Sequence, residues 1–389
     1  MRNIFFSYYF LSYFALGTLL PLLPVYLNEN LGMEQNMIGY ILSFMPLVGI
    51  VGQPIWGYIS DKTKAYKKIL FFIISVSTIT GFLLGVTKNI TTTFVIVLLF
   101  SFFRCAIVPL SDRFALEYSK DGETSFGAIR LWGSIGYAVA GLVIGQIAKV
   151  TGLFIIFYIF VGVYLMVLFC LKFFPNESIT EGYIIKQNSL TTDFRELMKI
   201  KEFIFIIIIS MILYGPLLAN NTYFSMYVVK QGGDFRIVGS LFFISAMSEV
   251  PFMLGANKWI KKIGMMKIIL IAATANLIRW LIYFIEPNLF IIYIATSLQG
   301  IGFGLLLPAM MEYLRDIVPK NIFATAVTLQ TSIGFGIGNF MLTLIAGYLL
   351  KFYSIKVVYG LFLGCTFVAI LFILYLFYKN TISKSRSVS

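Results

Sequence analysis

Three ionisable side chains lie within long apolar stretches, and they are the first candidates for chemistry in this sequence. Arg104 and Asp112 belong to the apolar run 92–115, and Arg130 belongs to the run 126–148. Each run has the roughly 20 residues needed to cross a bilayer, where an ionised group costs about 2.5 to 3.5 kcal/mol on insertion scales. An arginine fork can donate hydrogen bonds to hydroxyls or to a carboxylate, and an acid can accept them. We predict a polar solute site; alternatively, Asp112 and Arg130 form an ion pair that only joins two helices.

The composition predicts that these residues sit in a polytopic membrane protein. The chain has 389 residues, of which 59% are hydrophobic and only 12% charged, unlike a water-soluble domain. We predict an all-α membrane protein with twelve transmembrane helices. The predicted spans are 4–27, 36–60, 68–86, 92–115, 126–148, 152–174, 203–229, 236–260, 265–284, 289–313, 322–350 and 355–378.

Several functional classes are excluded by what the sequence lacks. It has no histidine, and its three cysteines all lie inside apolar runs, so we predict neither a zinc site nor a disulfide framework. It contains no GxSxG, HExxH or GxxxxGK[ST] motif, so we predict neither an enzyme nor an ATP-driven pump, and no cofactor. The net charge of +13 comes from basic residues in short links, which indicates membrane topology rather than nucleic-acid binding.

The distribution of basic residues predicts the orientation in the membrane. If the N-terminus is cytoplasmic, twenty of the 30 Lys and Arg residues fall in inside segments, six in outside links and four within spans. Cytoplasmic loops carry the excess of positive charge. We therefore predict a multi-pass plasma-membrane protein, monomeric, with both termini in the cytoplasm.

Repeated motifs predict that the chain consists of two similar halves. SIGYAVAG, beginning at Ser134, is echoed by SIGFGIGN, beginning at Ser332, at an offset of 198 residues, and Pro109 is echoed by Pro308. Two such halves place a solute site at their interface near mid-membrane. The predicted organisation is a six-helix half (1–174), a cytoplasmic linker (175–202), a second six-helix half (203–378) and a cytoplasmic tail (379–389).

The link after the second span resembles the signature of the major facilitator superfamily, G-x-x-x-D-[RK] followed by basic residues. Asp61 is the acid of this signature, and a lysine, Lys64, stands three residues later where the family usually has glycine. A carboxylate and cations at the ends of two spans can form a charge-assisted latch against a neighbouring helix terminus. The alternative is a plain positively charged loop. The predicted latch residues are Gly57, Asp61, Lys62, Lys67 and Lys68.

Within this superfamily the chain resembles the lactose permease type of sugar and proton symporter and the related nucleoside and phenylpropionate permeases. The first half carries the similarity at Gly17, Pro21, Pro24, Gln53 and Pro54. Asp112 stands in place of the family's sugar-binding glutamate, and Arg130, in an FG-x-x-R-x-x-G setting, in place of its sugar-binding arginine. Tyr137 stands where the family has the tryptophan that stacks on the sugar. The resemblance thus implies a sugar-type site, although Tyr137 could equally be a packing residue.

The second half departs from the family pattern at the residues that handle protons. Arg279 matches the family's arginine, and Glu249 matches its glutamate if a three-residue gap is allowed. The proton-handling histidine is replaced by Gln299 and the proton-carrying glutamate by Gly302. Neither replacement can titrate, so the family's coupling apparatus is missing.

A buried acid could take over this role. Glu249 lies about 13 residues into its span, where burial favours the protonated form and approach of Arg279 would favour the ionised form. We predict that Glu249 carries the coupling proton, with Asp112 as second choice. The alternative is a permanent salt bridge between Glu249 and Arg279.

The remaining polar residues bear on the substrate. Arg104 has no counterpart in the permease type and gives the predicted cavity a surplus cation, which favours an anionic solute. Asn220, Asn221 and Gln299 could supply neutral hydrogen bonds. The sequence predicts a proton-coupled importer of a small polar solute, a sugar or nucleoside. The alternatives are a permease for a small organic anion and a drug/proton antiporter.

Overall fold

The computed structural model describes residues 1–119, 124–174, 190–319 and 322–386, and within these ranges the chain is helical, without strands. Twelve helices or runs of consecutive helices in the described ranges are long and apolar enough to cross a membrane. The predicted fold class, an all-α membrane protein with twelve spans, is confirmed.

The chain divides into two compact units. The first comprises Met1–Tyr183 and Thr222–Phe243, and the second comprises Ile184–Asn221 and Ile244–Ser389. Two of the three boundaries between them, after Asn221 and after Phe243, fall inside helices, so each of those helices belongs partly to one unit and partly to the other. The division into halves at 174 and 203 stays a prediction.

The first unit contains eight helices that form the first six spans, together with segment 222–243. The helices are α1 (Arg2–Leu19), α2 (Leu23–Glu29), α3 (Gln35–Thr63), α4 (Tyr66–Val86), α5 (Ile90–Arg104), α6 (Ile107–Ser119), α7 (Phe126–Thr151) and α8 (Ile155–Lys172). Helix α1 packs on α7 and α8, and α4 packs on α5 and α8.

The second unit contains most of the remaining helices. They are α9 (Leu190–Leu197), α10 (Lys201–Lys230), α11 (Phe235–Ile263), α12 (Met265–Ile285), α13 (Leu289–Ser297), α14 (Gln299–Gly304), α15 (Leu306–Ile317), α16 (Phe323–Gln330), α17 (Gly338–Leu349) and α18 (Lys356–Arg386). A π-helical turn, Thr331–Ile337, joins α16 to α17. Helix α12 packs on α18 and on α14 and α15.

Three spans are interrupted beside a proline, and the first span breaks at residues 20–22. Proline lacks an N–H and its ring clashes with the carbonyl four residues earlier. Pro109 follows the interruption at Cys105–Ala106, and Pro308 follows the interruption at Leu305. The two prolines are the pair that the sequence repeat aligns, so the interruptions recur at corresponding positions of the chain. Such paired interruptions point to the substrate region of transporters.

Segment 222–243 joins the first unit through a close contact between α11 and α7. A Cβ on Gly141 would lie 2.9 Å from the carbonyl oxygen of Gly239, so the two backbones touch at small residues. Just beyond this contact, Lys149 Nζ lies 3.0 Å from Asp234 Oδ2.

The connecting segments differ in detail from the predicted linker and tail. Helix α9 lies within the predicted linker, and α18 continues through Arg386 into the predicted tail. Part of the linker, 175–189, lies outside the described residues, as do 387–389 and three of the basic residues used for the orientation, Lys120, Lys186 and Lys320.

Candidate functional site

The acid of the first unit, Asp112, is held by a tyrosine. Helix α6 carries Ser111 and Asp112 past two consecutive tyrosines of α1. The Tyr9 hydroxyl donates to Asp112 Oδ1 at 2.6 Å, and the oxygens of Tyr8 and Ser111 lie 2.7 Å apart. Asp112 Oδ2 accepts no hydrogen bond from the described residues. One carboxylate oxygen therefore fixes the side chain, and the other remains available.

Arg130 of α7 lies against a different tyrosine of α1. Its guanidinium carbon is 4.6 Å from the centroid of the Tyr13 ring, a cation–π distance. Its Nη1 atom is buried and has no hydrogen-bond partner in the described structure. No described carboxylate lies within 4.0 Å of Arg130. The alternative that Asp112 and Arg130 are joined as an ion pair is therefore wrong.

Glycines allow α1 to come close enough to α7 for this arrangement. A Cβ on Gly133 would lie 2.7 Å from Cδ2 of Tyr13, so the glycine makes room for the ring beneath Arg130. One turn further, a Cβ on Gly17 would lie 2.6 Å from the carbonyl oxygen of Tyr137. The Tyr137 side chain is half-buried.

Arg104 is the last residue of α5 and lies at the interruption of the fourth span. Its guanidinium carbon is 5.7 Å from the Phe100 ring centroid, and its Nε is buried without a hydrogen-bond partner among the described residues. No described carboxylate lies within 4.0 Å of it. Arg104, like Arg130, is therefore a guanidinium without a carboxylate partner among the described residues of the first unit.

In the second unit, Gln299 stands between the acid and the arginine. The Gln299 amide donates from Nε2 to Glu249 Oε1 at 3.0 Å, and Arg279 Nη1 donates to Gln299 Oε1. Glu249 and Arg279 form no ion pair within 4.0 Å. The alternative of a direct Glu249–Arg279 salt bridge is therefore wrong, because the amide occupies the position between them.

Close packing of the short helix α14 fixes the position of Gln299. A Cβ on Gly304 would lie 2.9 Å from the carbonyl oxygen of Glu249, so α14 lies directly against the backbone of α11. On the side facing α12, Asn276 Nδ2 donates to the carbonyl oxygen of Gly302 at 3.0 Å. Gly302 thus occupies a packing position, where a larger side chain would displace Asn276.

Arg279 is the most deeply buried charged group of this cluster. Only 2% of its surface is exposed, and its guanidinium carbon lies 4.1 Å from the centroid of the Trp280 ring. Its Nε and Nη2 atoms have no hydrogen-bond partner in the described structure. The arginine is therefore held by aromatic packing and by one hydrogen bond.

The two asparagines predicted to contact substrate have different environments. Asn220 is buried, and its Oδ1 lacks a hydrogen-bond partner in the described structure. Asn221 is exposed. Both stay predictions.

The signature link forms a network around Asp61 that includes Arg113 and Tyr66. Asp61 Oδ1 accepts from Arg113 Nη1 at 2.6 Å and from the Tyr66 hydroxyl at 2.7 Å. Arg113 in turn lies 3.8 Å from the centroid of the Tyr66 ring. The side chains of Arg113 and Asp61 are 35% and 66% exposed, so water weakens their attraction.

The basic residues of the link have other contacts. Lys67 Nζ donates to the carbonyl oxygens of Lys172, at 2.9 Å, and Phe174, at 2.7 Å, and so caps the end of α8. Lys62 lies 5.7 Å from the Tyr58 ring centroid, and Lys68 is exposed. Lys64 of the link adopts a φ of 53°, a left-handed conformation that glycine adopts without strain.

The sequence did not single out Tyr9, Tyr13 or Arg113, whose side chains contact the predicted site residues. Tyr9 and Tyr13 are one helical turn apart in α1 and therefore on one face, which was the available signal. Arg113 adjoins Asp112, but successive residues of a helix point about 100° apart. For this reason the arginine faces the link while the acid faces α1.

Comparison with known proteins identifies the family. Residues 4–361 match the MFS_1 like family. The chain is 35% identical to the maltose permease of Geobacillus stearothermophilus over 376 residues, which cover 96% of this chain and 94% of that protein. It is also 35% identical to the uncharacterized transporter YwbF of Bacillus subtilis, over 92% of this chain and 88% of that protein. The fold matches the crystal structure of the nucleoside transporter NupG with a TM-score of 0.84 at 18% identity, covering 97% and 98% of the two chains. The chain therefore belongs to the MFS_1 like family and is a transporter of the major facilitator superfamily, not an enzyme.

Proposed function

We propose that this transporter imports a small neutral polar solute, a sugar or a nucleoside, together with protons. One full-length relative is named as a maltose permease, and the fold matches that of a nucleoside transporter. The observation that carries the proposal is that Asp112 and Arg130 are each held by a tyrosine instead of by each other.

This arrangement suits recognition of hydroxyl groups. Asp112 retains an oxygen that accepts no hydrogen bond from the described residues, and Arg130 retains an unused donor atom, Nη1. A buried polar atom without a partner costs about 1 to 3 kcal/mol, and a solute hydroxyl that accepts from Arg130 Nη1 would recover that free energy. A second hydroxyl can donate to the free oxygen of Asp112. The rings of Tyr9 and Tyr13, with centroids 6.4 Å apart and planes inclined by 14°, supply apolar surface next to these polar groups.

We assign the coupling proton to Glu249. It is an acid within a membrane span that has no direct ion pair in the described structure and is hydrogen-bonded to a neutral amide. A carboxylate in such surroundings can exist in both protonation states. Glu249→Gln, which cannot bind the proton, is expected to abolish accumulation driven by a pH gradient in vesicles while retaining solute exchange. Gradient-driven accumulation by this variant would exclude Glu249 as the proton carrier.

One observation favours a second candidate, import of a small organic anion such as a sugar phosphate or an aromatic carboxylate. Arg104 is a guanidinium with no carboxylate partner among the described residues and with a buried, unbonded Nε. A carboxylate or phosphate on the solute would provide the missing acceptor.

A melting-temperature screen of the purified protein separates the two candidates. A ligand present at 100 times its dissociation constant stabilises the folded state by about 2.7 kcal/mol. Stabilisation by a neutral sugar or nucleoside, lost in Arg130→Ala, is the expected result. Stabilisation only by sugar phosphates or aromatic carboxylates, lost in Arg104→Gln, would replace the first candidate by the second.

We also propose that both termini face the cytoplasm and that the protein resides in the plasma membrane. The excess of lysine and arginine in the links that would then be cytoplasmic supports this orientation. Reporter domains fused after residue 389 and inserted in the outside link near Lys88 are expected to report opposite sides of the membrane.

A further inference from the structure

Gln299 has both ends of its amide engaged by protein side chains. Its Oε1 accepts from Arg279, and its Nε2 donates to Glu249 at 3.0 Å. One N–H and one lone pair of the amide are left for any other partner. The residue is therefore better placed to act on Glu249 than to bind solute.

The direction of this amide is fixed by the arginine. A guanidinium is permanently protonated and offers only donors. If the Gln299 amide were reversed, its NH₂ group would meet the N–H groups of Arg279, and two donors cannot bond. The Oε1 atom must therefore face Arg279, and the Nε2 donor must face Glu249.

Packing holds Arg279 and Gln299 in place. Arg279 is buried to 2% exposure against Trp280. A Cβ on Gly300 would collide with the carbonyl oxygen of Ser248, so α14 cannot move closer to α11, and Asn276 bonds the backbone of α14 from α12. Gln299 therefore presents its donor to Glu249 from a constrained position.

A fixed donor affects the two protonation states of Glu249 differently. A hydrogen bond to an ionised carboxylate is roughly twice as strong as one to a neutral acceptor. We propose that Gln299 is a positioning residue that relays the positive charge of Arg279 to Glu249 and thereby sets the pH at which Glu249 releases its proton. This inference rests on the proposed role of Glu249 in proton coupling.

The other charged or titratable groups that act on the relay in the described structure lie beside Arg279. From the described structure, Arg279 of α12 is the charged group that acts on Glu249. Tyr283 of α12 and Tyr359 of α18, whose ring centroids are 5.1 Å apart, lie beside Arg279. The relay through Gln299 is thus the hydrogen-bonded connection between Glu249 and this group.

The test replaces Gln299 by a side chain of similar length that cannot hydrogen-bond. Gln299→Met is expected to shift the midpoint of the pH profile of uptake upward by about one unit, because the ionised carboxylate loses its donor. Gln330→Met is the matched control. Gln330 is a hydrogen-bonded glutamine of the same unit, but it donates to the Ser210 hydroxyl at 3.1 Å, and its replacement is expected to leave the midpoint unchanged.

A second measurement keeps the inference testable if Gln299→Met transports too slowly. The infrared carboxyl band of Glu249, identified by its loss in Glu249→Gln, is titrated in purified protein. The expected result is the same upward shift in Gln299→Met. A midpoint equal to that of the wild type, or a lower one as in direct pairing of Glu249 with Arg279, would overturn the relay. The two proposals fail in different experiments. If Glu249 is not the proton carrier, Glu249→Gln still accumulates solute when a pH gradient drives uptake. The infrared titration of Glu249 is unaffected by that outcome and still tests the relay.

Discussion

The polar clusters of the two units contain the same pair of groups, one acid and one arginine on different helices, but they connect them in opposite ways. In the first unit, Tyr9 donates a hydrogen bond to Asp112, and the guanidinium of Arg130 lies over the Tyr13 ring. Each charged group therefore has its own aromatic partner. In the second unit, a single amide bonds both Glu249 and Arg279. The first arrangement keeps the two charged groups independent, and the second links them.

This difference indicates different tasks. Independent groups with unused hydrogen-bonding atoms can take up hydroxyls of a solute. A linked chain of hydrogen bonds transmits a change of charge at one end to the other. Changes in the first cluster are therefore expected to alter solute affinity without moving the pH profile, and changes in the second cluster are expected to move the pH profile.

The largest effect is expected from Arg130→Ala. Arg130 Nη1 carries two N–H groups without a partner in the described structure. Loss of a hydrogen bond to a charged group costs about 1.5 to 3 kcal/mol, so loss of both would weaken solute binding by at least about 100-fold. Calorimetric titration of the purified variant measures the affinity, and gel filtration verifies that the protein is folded.

Arg315→Ala is the control for this change. Arg315 is 63% exposed and pairs with Glu312 one turn away on the same helix, so its removal is expected to leave the affinity unchanged. Wild-type affinity in Arg130→Ala would contradict the assignment of the first cluster to the solute.

A smaller effect, about a 10-fold loss of affinity, is expected from Tyr9→Phe. The hydroxyl that orients Asp112 is removed, and one hydrogen bond to a charged group corresponds to roughly this factor. Tyr8→Phe is the matched control, because the adjacent hydroxyl bonds Ser111 and, in the described structure, is not hydrogen-bonded to Asp112 or Arg130. Equal losses of affinity in both variants would show that the tyrosines only join α1 to α6.

The same comparison shows what the sequence could and could not predict. Asp112, Arg130, Glu249 and Arg279 stand out because charged residues are rare within apolar spans, and the twelve spans follow from hydrophobicity alone. Their partners do not stand out. Aromatic residues make up 17% of the chain, so Tyr9 and Tyr13 look like ordinary packing residues until the fold brings α6 and α7 against α1.

The role of Gln299 was hidden for a related reason. A glutamine in place of a family histidine predicts a lost function, because an amide cannot titrate. Its position between Glu249 and Arg279 depends on residues 50 and 20 positions away and on glycine contacts of α14. Pro109 and Pro308 were visible as a repeat, but the helix interruptions that they produce appear only in the structure.

A few-fold loss of affinity is expected from Gly133→Ala. The added methyl group would lie 2.7 Å from the Tyr13 ring, which must move and take Arg130 with it. Gly127→Ala on the same helix is the control, since a Cβ there meets no atom of another described element within 4 Å. Binding assays on the two variants separate loss of the glycine from crowding of Tyr13, and similar affinities would show that the Tyr13 ring does not position Arg130.

The smallest effect concerns Asp234, an acid paired directly with cations and lying outside the spans. Lys149 and Arg236 approach its Oδ2 at 3.0 and 2.9 Å, and the Ile237 backbone N–H donates to Oδ1 at 3.1 Å. Burial raises the pKa of Asp234, but these hydrogen bonds outweigh it and hold the pKa at about 2. Direct pairing with cations thus favours the ionised form of Asp234. In the proposed relay, the neutral amide of Gln299 does the same for Glu249.

Because the pKa of Asp234 is lower in the folded than in the unfolded protein, its pairing stabilises the fold above the ordinary aspartate pKa of about 4 and loses this effect as the pH falls toward 2. Ion pairs in contact with water contribute about 0 to 1 kcal/mol, so Asp234→Asn is expected to lower the melting temperature at pH 7 by no more than about 2 °C. The difference from the wild type should narrow between pH 4 and pH 3. A melting-temperature difference that stays constant over this range would mean that the charge of Asp234 does not stabilise the fold. Asp234 would then act by packing or by capping α11 through the Ile237 N–H, which asparagine also bonds.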